Sequence, residues 1–223
     1  MKNAVVVITG SSSGIGRETA FRFASAGARL VLTYCKGEVR GRRVEQRCLK
    51  LGAAATLLLH LDVTDNRSIR TAVRKVLKTF GSVDILINNA GTGLFLPIKD
   101  QRVKDIEQQV RTNLEGLIKT THAFLPFIKK GIINIASGAG KNAYSEMVVY
   151  CASKFGVRGF TQGLALEYPR LSVYCVNPDM TATRLSGYEG RAASEVGDVI
   201  FRAAAGKIRV KRGGDVDVWE LLG

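Results

Sequence analysis

Six apolar runs recur along the chain: AVVVIT (4–9), RLVLTY (29–34), ATLLLHLDV (55–63), VDILIN (83–88), IINIAS (132–137) and LSVYCVN (171–177). Each is nearly continuous rather than alternating. A strand with one face in water alternates apolar and polar residues, whereas a continuous run has to be covered on both faces. Segments with helical spacing, such as GRETAFRFASAG and SIRTAVRKVLKTFG, stand between the runs and supply that cover. Strand and helix alternate throughout, so the connections are expected to be right-handed crossovers and the sheet parallel. The prediction is an α/β fold, a doubly wound parallel sheet with helices on both faces. In such sheets ligands bind outside the carboxyl ends of the strands. No repeat, low-complexity tract or Pro-rich linker divides the chain, so a single domain over 1–223 is expected.

Composition narrows the setting. The chain is 46% hydrophobic, enough for a buried core, and no run reaches the ~18 apolar residues of a membrane span. The opening MKNAVVVITG carries no export signal, and Cys35, Cys48, Cys151 and Cys175 stand far apart without a CxxC pair. Reduced thiols in the cytoplasm are the simplest account. A net charge of +14 raises anionic partners as a class: nucleic acid, acidic carriers or phosphorylated cofactors. Scattered charges such as those of RTAVRKVLKTF read equally as solvated helix faces. His60 and His122 are separated, lack companion ligands and read as packing residues, so no metal site is expected.

Gly10, Gly14 and Gly16 follow the first strand and open a helix. Glycine lets the backbone turn sharply and approach a pyrophosphate, and the helix start offers unpaired N–H groups and a positive dipole end. The pattern predicts a dinucleotide-binding, Rossmann-like turn; its bland alternative is a tight turn. About 20 residues on, a carboxylate would bond the ribose 2′-hydroxyl of NAD. Tyr34-Cys35-Lys36 stands there instead, followed by Arg40, Arg42 and Arg43. Cations at this place favour the 2′-phosphate of NADP(H) over NAD(H), unless they are only a solvated helix start. Asp62, after the third strand, is suited to accept from an adenine amino group or to serve as a turn residue. In NNAG (88–91), the amides can tie loop backbone together beside two small residues that leave room for a planar group.

The stretch VVYCASKFGV sets Tyr150 four residues before Lys154, one above the other on a helix. A nearby ammonium stabilises a phenolate, moving a phenol from pKa ~10 toward neutrality, where it can exchange a proton. Such a pair in isolation is more often an ordinary core helix. Ser137, at the carboxyl end of the fifth strand, changes the reading, because its hydroxyl can face the same cleft and bond a substrate carbonyl. Cys151 turns about 100° away from the tyrosine and is not expected to be a nucleophile.

TGSSSGIG, the NNAG at 88–91, Asn113 in VRTNLEG, Ser137 and YCASK at 150–154 together resemble the motif set of the short-chain dehydrogenase/reductase family, in order and spacing. The similarity runs from Lys2 to about Arg184. It implies an oxidoreductase interconverting an alcohol and a ketone or aldehyde, with Tyr150 as acid/base, Ser137 orienting the carbonyl, and Lys154 binding the ribose and lowering the tyrosine pKa. Asn113 would anchor a water-linked proton relay. Gly10, Ser12, Ser13, Gly14, Ile15 and Gly16 would line the diphosphate, Asp62 and Val63 the adenine, and Asn89, Ala90 and Gly91 the adenosine ribose. Pro178, Thr181 and Thr183 would hold the nicotinamide carboxamide. The resemblance also implies a homodimer or homotetramer and a substrate-binding segment around 184–205. Two departures stand out. Asp179 follows Pro178 where the family usually has glycine, so its carboxylate either alters cofactor pose or points to solvent. The C-terminal stretch lacks the family's frequent closing pattern around a final strand.

Two other classes stay open on the sequence. A dinucleotide sensor would bind cofactor without chemistry, but it needs no proton donor. A nucleic-acid-binding protein would use the six basic residues among 36–50, though no recognised binding motif accompanies them. Neither a nucleic acid nor a membrane is the expected partner.

Overall fold

The computed structural model describes residues 1–223. Its strands are β1 (Val5–Ile8), β2 (Arg29–Tyr34), β3 (Ala55–His60), β4 (Val83–Asn88), β5 (Ile128–Ile135), β6 (Ser172–Asn177) and β7 (Asp215–Asp217). All pair in parallel, in the order β3-β2-β1-β4-β5-β6-β7. The order reverses direction between β1 and β4. That switch point opens a crevice at the carboxyl ends of the two strands.

Eight α-helices cover the sheet: α1 (Gly14–Ser25), α2 (Glu38–Lys50), α3 (Asn66–Phe80), α4 (Val103–Val110), α5 (Gly116–Phe124), α6 (Val148–Glu167), α7 (Ala193–Ala204) and α8 (Val218–Leu222). Strand residues alternate between two cores. Val6 and Ile8 of β1 join Phe23 and Ile200 on one face, while Val7 joins Leu86, Phe124 and Ile132 on the other. Each fully buried side chain of this kind contributes roughly 1.5–3 kcal/mol. The result is one domain built on a parallel sheet clad on both faces, as the continuous apolar runs predict.

A seventh strand closes the sheet although the C-terminal stretch lacks the family's frequent closing pattern. β7 is only three residues and carries Asp215 and Asp217, so its composition does not read as a strand. It pairs with Cys175, Val176 and Asn177 of β6. Arg158 and Lys141 take up its two carboxylates.

The 184–205 segment divides in two. α7 is a core helix whose Gly197 crosses α1 so closely that a Cβ there would lie 2.8 Å from the Thr19 nitrogen. Only the stretch up to Glu189 borders the crevice. Both histidines are exposed rather than packed, with His60 edge-on to Tyr34 at 5.6 Å. No helix is long and apolar enough to cross a membrane.

Candidate active site

A cleft of about 1610 Å³ lies over the carboxyl ends of the strands. At its centre is the turn from β1 into α1. Ser13 caps α1 without a side-chain hydrogen bond, which leaves the first helical N–H groups free for an anion. Gly14 has φ +56°, and a Cβ there would lie 3.3 Å from Thr183 Cγ2. Gly16 sits beneath the turn rather than in the cleft wall; a Cβ there would meet the Asn89 amide and come within 2.7 Å of the Gly10 carbonyl. The turn is braced from its own strands. Thr33 Oγ1 accepts from the Gly10 N–H at 3.0 Å, and Ser11 Oγ accepts from the Thr33 N–H at 2.8 Å.

The two asparagines of NNAG separate in role. Asn89 Nδ2 donates to the Thr9 and Gly10 carbonyls at 2.8 and 3.2 Å, tying the β4 loop to the glycine turn. Asn88 turns inward, donating to Thr121 Oγ1 and Asn134 Oδ1, both at 2.8 Å.

At one end of the cleft lie Cys35, Lys36, Arg40, Asp62 and Val63. Asp62 Oδ1 accepts from the Thr64 N–H and hydroxyl at 2.9 and 2.7 Å. Burial pushes the Asp62 carboxyl up, but these bonds and the Cys35 thiol outweigh it and hold the group below its ordinary value. Of the four cations after β2, Arg42 pairs with Glu38 at 2.5 Å. Lys36 and Arg40 line the cleft with no carboxylate partner, and Arg40 folds back to donate to the Lys36 carbonyl at 3.1 Å.

Toward the other end, the carboxyl end of β5 and the first turn of α6 bring Ser137 and Tyr150 together. Ser137 begins a 3-10 turn, its Oγ accepting from the Ala139 N–H at 3.1 Å. Burial pushes the Tyr150 phenol up to about 12, against a smaller downward pull from the Ser137 hydroxyl. Lys154, one helical turn on, is buried; it donates from Nζ to the Ile135 carbonyl at 2.9 Å and stands 5.6 Å above the centroid of the Tyr150 ring. Burial pushes this ammonium down to about 8. Lys154 is not among the influences on the phenol, which burial shifts upward. The ammonium meets the ring face and a carbonyl, so desolvation of both groups sets their acidities.

Asn113 is set by a local irregularity in the helix. It lies in a π-helical turn, Arg111–Glu115, between α4 and α5. That irregularity, common near functional sites, turns its side chain inward. Oδ1 accepts from the Thr92 N–H at 2.8 Å, and Nδ2 donates to the Thr92 carbonyl at 2.8 Å and to Ser153 Oγ at 3.1 Å. The buried amide holds the Gly91–Thr92 loop instead of lining the cleft.

The loop after β6 closes the cleft. Pro178, Thr181 and Thr183 all border it. Thr181 Oγ1 donates to the Asp179 carbonyl, and Thr183 Oγ1 accepts from the Leu185 N–H. Asp179 borders the cleft and keeps a partly exposed side chain. Its carboxylate receives Arg191 Nε at 3.1 and 3.0 Å, and Arg191 also donates to the Gly223 carbonyl at 3.0 Å. Behind the Ser137 turn, Arg158 donates to the Gly140 carbonyl at 2.8 Å and pairs with Asp215 of β7 at 2.5 Å. Sequence reasoning missed Arg158, Asp215, Phe95, Met147 and Trp219 as part of this region. They meet only through the fold; the conspicuous signal was Trp219, the single tryptophan.

Comparison with known proteins agrees with this geometry. The family model described as short chain dehydrogenase matches residues 4–193. An uncharacterized oxidoreductase of Staphylococcus saprophyticus is 36% identical over 171 residues, covering 75% of this chain and 68% of the relative. An 11-beta-hydroxysteroid dehydrogenase-like protein (4A) of Arabidopsis thaliana is 36% identical over 181 residues, covering 79% of this chain and 60% of its own length. A solved structure of a putative short-chain dehydrogenase/reductase from Burkholderia xenovorans superposes with a TM-score of 0.87 at 29% identity, covering 100% of both chains. The matched residues include the glycine turn, Ser137, Tyr150 and Lys154, and on these grounds the chain belongs to the short-chain dehydrogenase/reductase family of oxidoreductases.

Proposed function

We propose that this protein is an NADP(H)-dependent oxidoreductase interconverting an alcohol and a ketone or aldehyde, with Tyr150 as acid/base. The observation that carries the reading is that Ser137, Tyr150 and Lys154 line the same cleft as the uncapped start of α1. The surrounding residues fit a dinucleotide, because the close approaches at Gly14 and Gly16 keep the turn free of side chains. Gly10, Ser12, Ser13, Gly14 and Ile15 would take the diphosphate, Asp62 and Val63 the adenine, Asn89, Ala90 and Gly91 the adenosine ribose, Lys154 the nicotinamide ribose, and Pro178, Thr181 and Thr183 the carboxamide. A nicotinamide held by these residues would supply hydride exchange with the carbonyl or alcohol carbon of the substrate. Ser137 donates to the substrate oxygen and fixes its direction. Tyr150 gives that oxygen its proton as the carbonyl is reduced. Burial keeps the phenol protonated at neutral pH, the form that reduction consumes. Asn113 positions the loop beside Lys154.

Turnover should fall by roughly 10²–10⁴-fold in Tyr150→Phe, since a positioned proton donor is worth about that much. NADPH should still quench Trp219, which borders the cleft. Unchanged turnover in that variant would sink the assignment.

The unpaired Lys36 and Arg40 support NADP(H). Lys36→Ala and Arg40→Ala should each lower kcat/KM for NADPH by about tenfold, the scale of one charge-assisted contact, while barely changing NADH. A higher kcat/KM for NADH in the unaltered protein would reverse the preference. A homodimer or homotetramer in the cytoplasm completes the reading; exposed Val103 and Val110 on α4, exposed Phe155 and Leu166 on α6, and four free cysteines support it. Light scattering tests the assembly, with a monomeric mass counting against it.

A further inference from the structure

We infer that the substrate is an uncharged ketone carried on a bulky apolar ring, not a short keto acid; the inference rests on the oxidoreductase reading above. Six large apolar side chains, three of them aromatic, stand around the Ser137–Tyr150 pair. The Phe95 ring stands edge-on to the Tyr150 ring, with centroids 5.6 Å apart. Leu185 meets Phe95 across Gly93, where a Cβ would lie 3.2 Å from Leu185 Cδ1 and 3.0 Å from Phe95 Cε1. Met147 packs against the cluster of Ala139, Tyr150 and Cys151. Trp219 flanks the turn that begins at Ser137, its ring 3.6 Å from where a Cβ on Gly138 would stand. Tyr144 and Met180 complete the wall. Phe95, Tyr144, Met180 and Leu185 remain exposed at the cleft although each is a large apolar side chain. Aromatic edges and faces of this kind complement a ring better than a flexible chain.

Charge points the same way. A carboxylate next to the reacting carbonyl would lose water and need a cation in return. Lys141 and Arg191, outside the cleft lining, are paired with Asp217 and Asp179, and Lys154 within it donates to the Ile135 carbonyl. Arg184 borders the cleft together with Glu146 and Glu189, a set of net negative charge. Lys36 and Arg40 stand at the opposite, adenosine-binding end.

The test compares kcat/KM with NADPH for 4-phenylcyclohexanone, 2-octanone and acetoacetate in the unaltered protein, Phe95→Ala and Leu185→Ala. The ring ketone should lead both others by at least about tenfold, and each variant should reduce that lead by about tenfold through KM, the scale of lost apolar contacts in a pocket. Phe95 and Leu185 lie at the cleft surface, so circular dichroism should report an intact fold in both variants. A preference for acetoacetate or 2-octanone, or a lead unchanged in both variants, would overturn this inference and leave the oxidoreductase reading standing. Turnover of none of the three, with NADPH still quenching Trp219, would overturn both.

Discussion

Tyr150 and Lys154 share one buried site, and burial acts on them in opposite directions. The lysine, lowered from 10.5 to about 8, holds its proton less firmly in the folded chain than in the unfolded one. Between those values unfolding takes up a proton, so stability rises as pH increases. The tyrosine, raised from 10.0 to about 12, does the reverse above pH 10. Thermal unfolding from pH 7 to pH 9.5 should therefore show the protein gaining stability relative to Lys154→Met. A constant difference between the two across that range would show that the ammonium is not desolvated. Gly16 belongs to the same scale. Gly16→Ala drives a methyl group into the Asn89 amide and the Gly10 carbonyl. It should cost about 1–3 kcal/mol, the usual range for overpacking, and weaken NADPH binding as well. Melting curves and fluorescence titration read the two effects separately.

At the scale of elements, the C-terminal quarter braces the cleft. β7 extends the sheet by one short edge strand, and Asp215 on it holds Arg158, which in turn holds the Gly140 carbonyl beside Ser137. Arg158→Met leaves that carboxylate and carbonyl without their partner. The side chains of the pair are about one-fifth exposed, so the loss should be about 2 kcal/mol, below the range for fully buried pairs. In a chain of this size that is a fall in Tm of roughly 4–8 °C. The pair also has an acid limit: Arg158 and Asn177 hold the Asp215 carboxyl below its ordinary value against burial, so its contribution is present above that value and lost as pH falls through the folded pKa.

Asp179 plays a comparable part in the loop after β6. Restoring glycine there, Asp179→Gly, frees Arg191 and should cost about 1 kcal/mol, because the pair is partly exposed. Trypsin should then cut at Arg184 or Arg191 several-fold faster, and an unchanged cleavage rate would show that the ion pair does not hold the loop. These braces were not legible in the sequence. Nothing in DVD marks an edge strand, and nothing near Asp179 announces a guanidinium twelve residues on. Six strands, the glycine turn and the Ser137, Tyr150 and Lys154 constellation were legible, because each depends on residues close in the chain or on a repeating apolar pattern.

For the molecule as a whole, binding to the folded state alone adds stability by mass action, about 2.7 kcal/mol at a hundredfold excess over Kd. NADPH should raise Tm more than NADH at equal concentration, and added salt should narrow the gap, because Lys36 and Arg40 are surface cations open to screening. Equal shifts at low salt would remove the 2′-phosphate from the account.

The sequence alone determined the parallel, doubly covered sheet, since continuous apolar runs have no other way to leave water. It also determined the turn of Gly10, Gly14 and Gly16 and the i to i+4 spacing of Tyr150 and Lys154, which are local. Only the tertiary structure decided that Asn113 turns inward, that Tyr150 and Lys154 are buried together, that Asp179 clamps Arg191, and that Phe95 and Trp219 flank the Ser137–Tyr150 pair. Each of these is an outcome of desolvation or of contact between residues far apart in the chain, and neither exists until the chain is folded.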